Sequence, residues 1–197
     1  MTNSLSRRRL ASAAARLNAS HREAGLLPPL VLMTDDARLP DPLAAARALP
    51  RGAMVVVRSR DAARRAELAR ALLGLSVLVV LVADDPELAL RLNADGVHLP
   101  ERRAGDAAHW RARRPRWILT AAAHGARGGD VNLDALFLSP VFATASHPER
   151  AALSAARANA IARGLSTPVY ALGGIDARNA RLLSGFVGIA AIGALAV

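Results

Sequence analysis

Eight short apolar runs punctuate the chain: Leu30–Met33, Met54–Val57, Val77–Val82, Gly96–Leu99, Trp117–Thr120, Leu136–Ser139, Val169–Leu172 and Gly188–Ile192. They are mainly apolar rather than alternating, the pattern of a strand buried on both faces. Between most of them lie alanine- and arginine-rich segments with helical periodicity. In "DAARRAELARALLGL", from Asp61, that period sets Ala62, Ala66, Ala69 and Leu73 on one face. Strands alternating with helices pair in parallel, because each crossover needs about a dozen residues to return to the same edge. Eight repeats predict an α/β fold closed into a (β/α)8 barrel. The competing arrangement, an open doubly wound sheet, usually has about five or six strands and, when it binds a dinucleotide, a glycine-rich turn after the first. Here that turn is "MTDDARLP", without glycine.

The barrel is predicted to be compact and irregular. Gly125, Gly128 and Gly129 crowd the short stretch between the fifth and sixth runs, so the helix there is lost or shortened. Only Gly193 to Val197 follow the eighth run, too few for a closing helix. Something else must cover that wall. Leu10, Ala13, Ala14 and Leu17 form one stripe of the N-terminal segment, which predicts an extra helix against the barrel, with a second copy of the chain as a further cover. The expected organisation is a helical extension over residues 1–29 and a barrel over 30–197. The N-terminal segment has arginines but no continuous apolar core, and no run approaches the roughly eighteen residues that span a bilayer. With no cysteine anywhere, disulfides and thiolate chemistry are excluded, and a cytoplasmic protein away from membranes is expected.

All 26 basic residues are arginine, and the formal charge is +10. The absence of lysine excludes Schiff-base chemistry. The densest cluster, Arg102, Arg103, Arg111, Arg113, Arg114 and Arg116, has only Trp110 and Trp117 among it and reads as a solvated face rather than a nucleic-acid surface. Small phosphorylated ligands remain as the anionic partners that such a charge suits.

In a barrel of this kind chemistry belongs at the C-terminal ends of the strands, with a phosphate commonly held by the loops after the seventh and eighth. "YALGGID" places Gly173 and Gly174 in the first of these loops and "AIGAL" places Gly193 in the second, where backbone N–H groups approach an anion closely. In "LFLSPVFATASHP", Pro140 is expected to stop the sixth strand, and Thr144 and Ser146 offer hydroxyls beyond it. Arg58 ends the second strand and Arg60 follows with the same parity, so both lean towards one side of the mouth, where guanidinium forks suit phosphate oxygens.

Taken together, "LVLMTDD", "ADGVHLP", "FLSPVFATAS", "PVYALGGID" and "GIAAIGAL" resemble, in order and spacing, the thiamine phosphate synthase family, which includes the thiazole tautomerases. The resemblance runs from about Leu30 to Val197 and implies a (β/α)8 barrel. It also implies a reaction: an aminopyrimidine pyrophosphate is joined to a thiazole phosphate, magnesium assists departure of pyrophosphate, and the thiazole nitrogen captures a carbocation-like pyrimidine. The partners it implies are phosphorylated pyrimidine and thiazole compounds. On this reading Arg58, Asp84 and His124 are the catalytic candidates, Asp84 is the magnesium ligand, and Asp35, Arg60, Thr144, Ser146, His147, Gly173, Gly174 and Gly193 bind substrate.

Several positions depart from the family pattern. Arg103 stands where a second aspartate is expected, with Asp85 and Glu101 as the nearest replacements. Ala122 replaces a serine, His147 a lysine, and Ser59 and Arg60 a Glu-Lys pair. Pro140 stands where a tautomerase has a histidine. These departures leave two alternatives to a synthase: a non-catalytic barrel that binds phosphorylated ligands, or a tautomerase-like sibling. His98 ends a buried strand, and its common role there is a ring satisfied by a neighbouring backbone carbonyl.

Overall fold

The eight apolar runs become eight parallel strands that close on themselves in chain order, β1 pairing with both β2 and β8. The computed structural model describes residues 2–39, 41–126, 132–144 and 151–196. The strands are β1 (Leu30–Met33), β2 (Met54–Val57), β3 (Val79–Ala83), β4 (Gly96–Leu99), β5 (Ile118–Ala123), β6 (Ala135–Leu138), β7 (Val169–Leu172) and β8 (Gly188–Ala191). The (β/α)8 expectation holds. Seven boundaries move: β3 and β5 start later and run further, β6 starts and ends one residue earlier, and β8 stops at Ala191.

The helices are α1 (Thr2–Ala19), α2 (Pro42–Arg47), α3 (Ala62–Leu73), α4 (Pro86–Leu92), α5 (Ala107–Arg113) and α6 (Ala155–Gly164). Asp41, Asp61 and Asp85 cap α2, α3 and α4, each carboxylate accepting the backbone N–H three residues on, and proline opens α2 and α4. In α3 the buried face centres on Ala69 and Leu72, while Ala62 is exposed, so the stripe is rotated from the predicted one. Among the described residues no helix follows β5, and the one element after β8 is a 3-10 turn at Gly193–Leu195. A third shortening appears after β7, where only the 3-10 turn Ala180–Leu182 stands in place of a helix.

Helix α1 covers the resulting gap. It packs on β8, β1 and the turns after β7 and β8, burying Leu10, Ala13, Ala14 and Leu17. The buried Asn18 amide fixes its end by donating to the carbonyls of Leu27 and Val187 at 3.1 and 2.9 Å. None of the described helices is long and apolar enough to cross a membrane.

Three buried rings meet, one each from β4, β6 and β7. His98 meets Phe137 edge-on with centroids 4.8 Å apart, and Phe137 lies 4.8 Å from Tyr170. Tyr170 is accommodated because its neighbour on β8 is Gly188, where a Cβ would sit 2.7 Å from the Tyr170 ring. The arginines near the two tryptophans serve the fold: Arg111 donates to the carbonyls of Pro115 and Trp117 and to Asp134, while Arg113 lies over the Trp110 ring.

Candidate functional site

The loops at the C-terminal strand ends enclose two adjoining lobes. The inner lobe, about 510 Å³, lies over the barrel end, and the outer lobe, about 730 Å³, lies beside it towards β1 and β2. Arg38, Arg58, Ala83 and Asp84 line both. Apolar groups from Met33, Leu172, Ile175 and Ile192 line the inner lobe, which also meets Gly173, Gly174, Gly193 and Thr144. The outer lobe is polar, bordered by Asp35, Asp36, Ser59 and Arg60.

Arg58 stands at the junction. The Thr34 hydroxyl, just past β1, accepts the Arg58 backbone N–H and donates to its carbonyl, both at 2.7 Å, which ties the ends of β1 and β2 together. The half-buried guanidinium has no salt bridge to any described acid. Burial lowers its pKa from the ordinary value, with Asp35 opposing and Arg38 reinforcing the shift. A half-buried guanidinium without an acid can hold an external anion through charge-assisted hydrogen bonds.

Arg60 reaches only the outer lobe; it is exposed, and its backbone N–H is bound by Asp36 at 3.1 Å. Asp35 is held in its turn by Arg38 at 2.7 Å and by backbone N–H groups, and its carboxyl falls to about 2, the Arg38 hydrogen bond being the largest cause. His124 lines the inner lobe with its Nδ1 2.7 Å from Glu101, whose other oxygen accepts the His124 N–H. His98 lines the same lobe, but its ring nitrogen meets the Thr120 hydroxyl at 3.0 Å rather than a backbone carbonyl. Ser146 and His147 lie outside the described residues.

Gly173 and Gly174 adopt φ values of 97° and 63°, which side chains resist. A Cβ on Gly174 would meet the Ala143 carbonyl oxygen at 2.3 Å, because the loop after β7 lies directly on the loop after β6. Strand β6 ends at Leu138, ahead of Pro140, yet hydrogen bonding to β7 and its loop resumes beyond the proline. The Val141 and Phe142 N–H groups go on to bond Leu172 and Gly173 at 3.0 and 3.1 Å, since proline removes only its own donor.

The acids do not suit magnesium, which needs hard oxygen ligands in near-octahedral array. Asp84, in the left-handed region at φ 52°, accepts from Arg103 at 2.7 Å with one oxygen and from Arg102 at 3.0 Å with the other. The two replacements are also engaged: Asp85 caps α4 and pairs with Arg65 at 3.1 Å, and Glu101 holds His124. Among the described residues no three His, Asp or Glu side chains are grouped to hold a metal. Thr34, Arg38 and Arg102 are the site residues that motif reading passes over. Thr34 was detectable as a hydroxyl at a strand end, whereas Arg102 becomes relevant only once β3 and β4 lie side by side.

A family model described as thiamine monophosphate synthase matches residues 30–195. The thiamine-phosphate synthase of Alcanivorax borkumensis is 31% identical over 182 residues, covering 84% of this chain and 84% of that protein. Among solved structures, a thiamine phosphate pyrophosphorylase from Pyrococcus furiosus superposes with a TM-score of 0.68 at 23% identity, over 83% of this chain and 84% of the other. A 2-keto-3-deoxy-6-phosphogluconate aldolase of Zymomonas mobilis superposes with a TM-score of 0.58 at 16% identity, over 92% and 84%. At such identities these two likenesses speak to the barrel alone.

Proposed function

The chain belongs to the thiamine monophosphate synthase family, and on that basis we propose that it joins an aminopyrimidine pyrophosphate to a thiazole phosphate. The carbon–oxygen bond to pyrophosphate breaks and the electron pair leaves with pyrophosphate. The thiazole nitrogen then gives its lone pair to the carbon left behind. Arg58 carries this reading: a half-buried guanidinium with no described acid partner, at the junction of an apolar lobe and a polar one.

In this reading the apolar walls of the inner lobe hold the two rings and keep water from the reacting carbon. Arg58 holds the departing pyrophosphate, with Arg60 and Asp35 at its outer side. The glycine loops after β7 and β8, with Thr144, Ser146 and His147, take the thiazole phosphate. His124, oriented by Glu101, borders the reacting groups. The magnesium implied for such a reaction does not fit the acids of this mouth, and no step here depends on it. We assign residues 1–29 to a helical extension and 30–197 to the barrel, in line with a family match that begins at residue 30. Soluble phosphorylated substrates put the reaction in the cytoplasm.

Purified protein supplied with both substrates and magnesium is expected to form thiamine phosphate and an equal amount of pyrophosphate, read by chromatography. Binding of both substrates without product would make the chain a ligand-binding barrel and overturn the synthase assignment.

A further inference from the structure

The acids that line the two lobes are Asp35, Asp36 and Asp84. Each is already matched by arginine. Asp35 pairs with Arg38 at 2.7 Å and Asp36 with Arg64 at 3.4 Å, while Asp84 takes Arg103 at 2.7 Å and Arg102 at 3.0 Å. Arg103 is held in place from its other side by Asp106 at 2.8 Å. A divalent cation entering at Asp84 would have to displace two guanidinium groups and then find further oxygen ligands, none of which the described acids offer. The charge balance runs the other way for an anion. Pairing Asp84 with arginine removes the negative charge that would repel a phosphate, and Arg58, which lines the same two lobes, remains available as a donor.

Building on the anion-binding reading above, we propose that this barrel binds a pyrophosphate group through guanidinium groups alone, without a divalent cation. Arg58 contacts the anion, and Arg103, with Arg102, acts as a positioning residue that neutralises Asp84. The consequence is a site whose affinity for pyrophosphate is insensitive to magnesium, although the reaction class usually couples the two.

Isothermal titration of inorganic pyrophosphate into the full chain tests this, once in excess EDTA and once in magnesium chloride with allowance for magnesium pyrophosphate formed in solution. The expected result is binding in EDTA within about threefold of that in magnesium. Arg58→Met is expected to weaken binding in EDTA at least about tenfold, the scale of a lost charged hydrogen bond. Arg103→Asp, which supplies a second acid and leaves Asp84 with Arg102 as its remaining guanidinium partner, is expected to bind pyrophosphate more tightly in magnesium than in EDTA. Circular dichroism checks each variant, and Arg58→Gln replaces Arg58→Met if the latter fails to fold. Pyrophosphate binding by the parent chain only in magnesium would overturn the inference and leave the anion site standing. Absence of binding in both conditions would overturn both, and an unaltered affinity in a folded Arg58 variant would remove Arg58 from the site.

Discussion

His98 sits at the end of β4 with its Nδ1 3.0 Å from the Thr120 hydroxyl and its ring edge on Phe137. Burial, reinforced by the charge of Arg58 and opposed by Asp84, lowers its pKa from 6.5 to about 3, so the folded ring is neutral at any working pH. The unfolded chain takes up this proton near pH 6.5 and the folded chain does not until about pH 3. The stability that depends on a neutral His98 is therefore present above pH 6.5 and falls as pH drops towards 3. Between pH 6.5 and 4.5 the loss is expected to be on the order of 2 kcal/mol, measured by guanidinium unfolding at several pH values. His98→Asn should flatten that slope; an unchanged slope would assign it to other groups. The "DGVHL" run places this histidine at a strand end. Its partner was not legible, because Thr120 lies 22 residues away and meets it only through the β4–β5 register.

At the scale of elements, the mouth depends on how closely two loops approach. Gly174 combines φ 63° with an approach in which a Cβ would lie 2.3 Å from a backbone oxygen. Gly174→Ala is expected to cost about 2 kcal/mol or more, read as a lower midpoint in thermal or chemical unfolding. Gly193 gives the contrast, since a Cβ there meets nothing within 4 Å. Gly193→Ala should leave stability within about 0.5 kcal/mol of the parent. The glycine pair was visible in "ALGGI"; the difference between Gly174 and Gly193 was not, since it depends on which loop each backbone touches. The same limit explains β6. Pro140, just past the run, marks a missing donor, yet the N–H groups beyond it still bond the end of β7 and its loop.

At the scale of the whole molecule, no helix follows β8 among the described residues, and α1, N-terminal to the barrel, packs on β8 and β1. Leu10 is 1% exposed on the face that meets the barrel. Leu10→Ala is expected to destabilise the fold by about 2–4 kcal/mol, measured by chemical unfolding, because the cavity opens between helix and sheet. A change under about 0.5 kcal/mol would mean that α1 is not integral to the folded unit. The strand count, the parallel order and the buried stripe of α1 were all determined by sequence alone. Each is a local pattern: a short run apolar on both faces, a crossover long enough to return, a stripe at helical period. What only the tertiary structure decided is the electrostatic state of the mouth. Arg102 and Arg103 reach Asp84 across 18 and 19 residues, from the loop after β4 to the end of β3, while Arg58 has no salt bridge to a described acid. Charge pairing depends on distance through space, and that distance is set by closure of the barrel, which brings strand ends together irrespective of their separation along the chain.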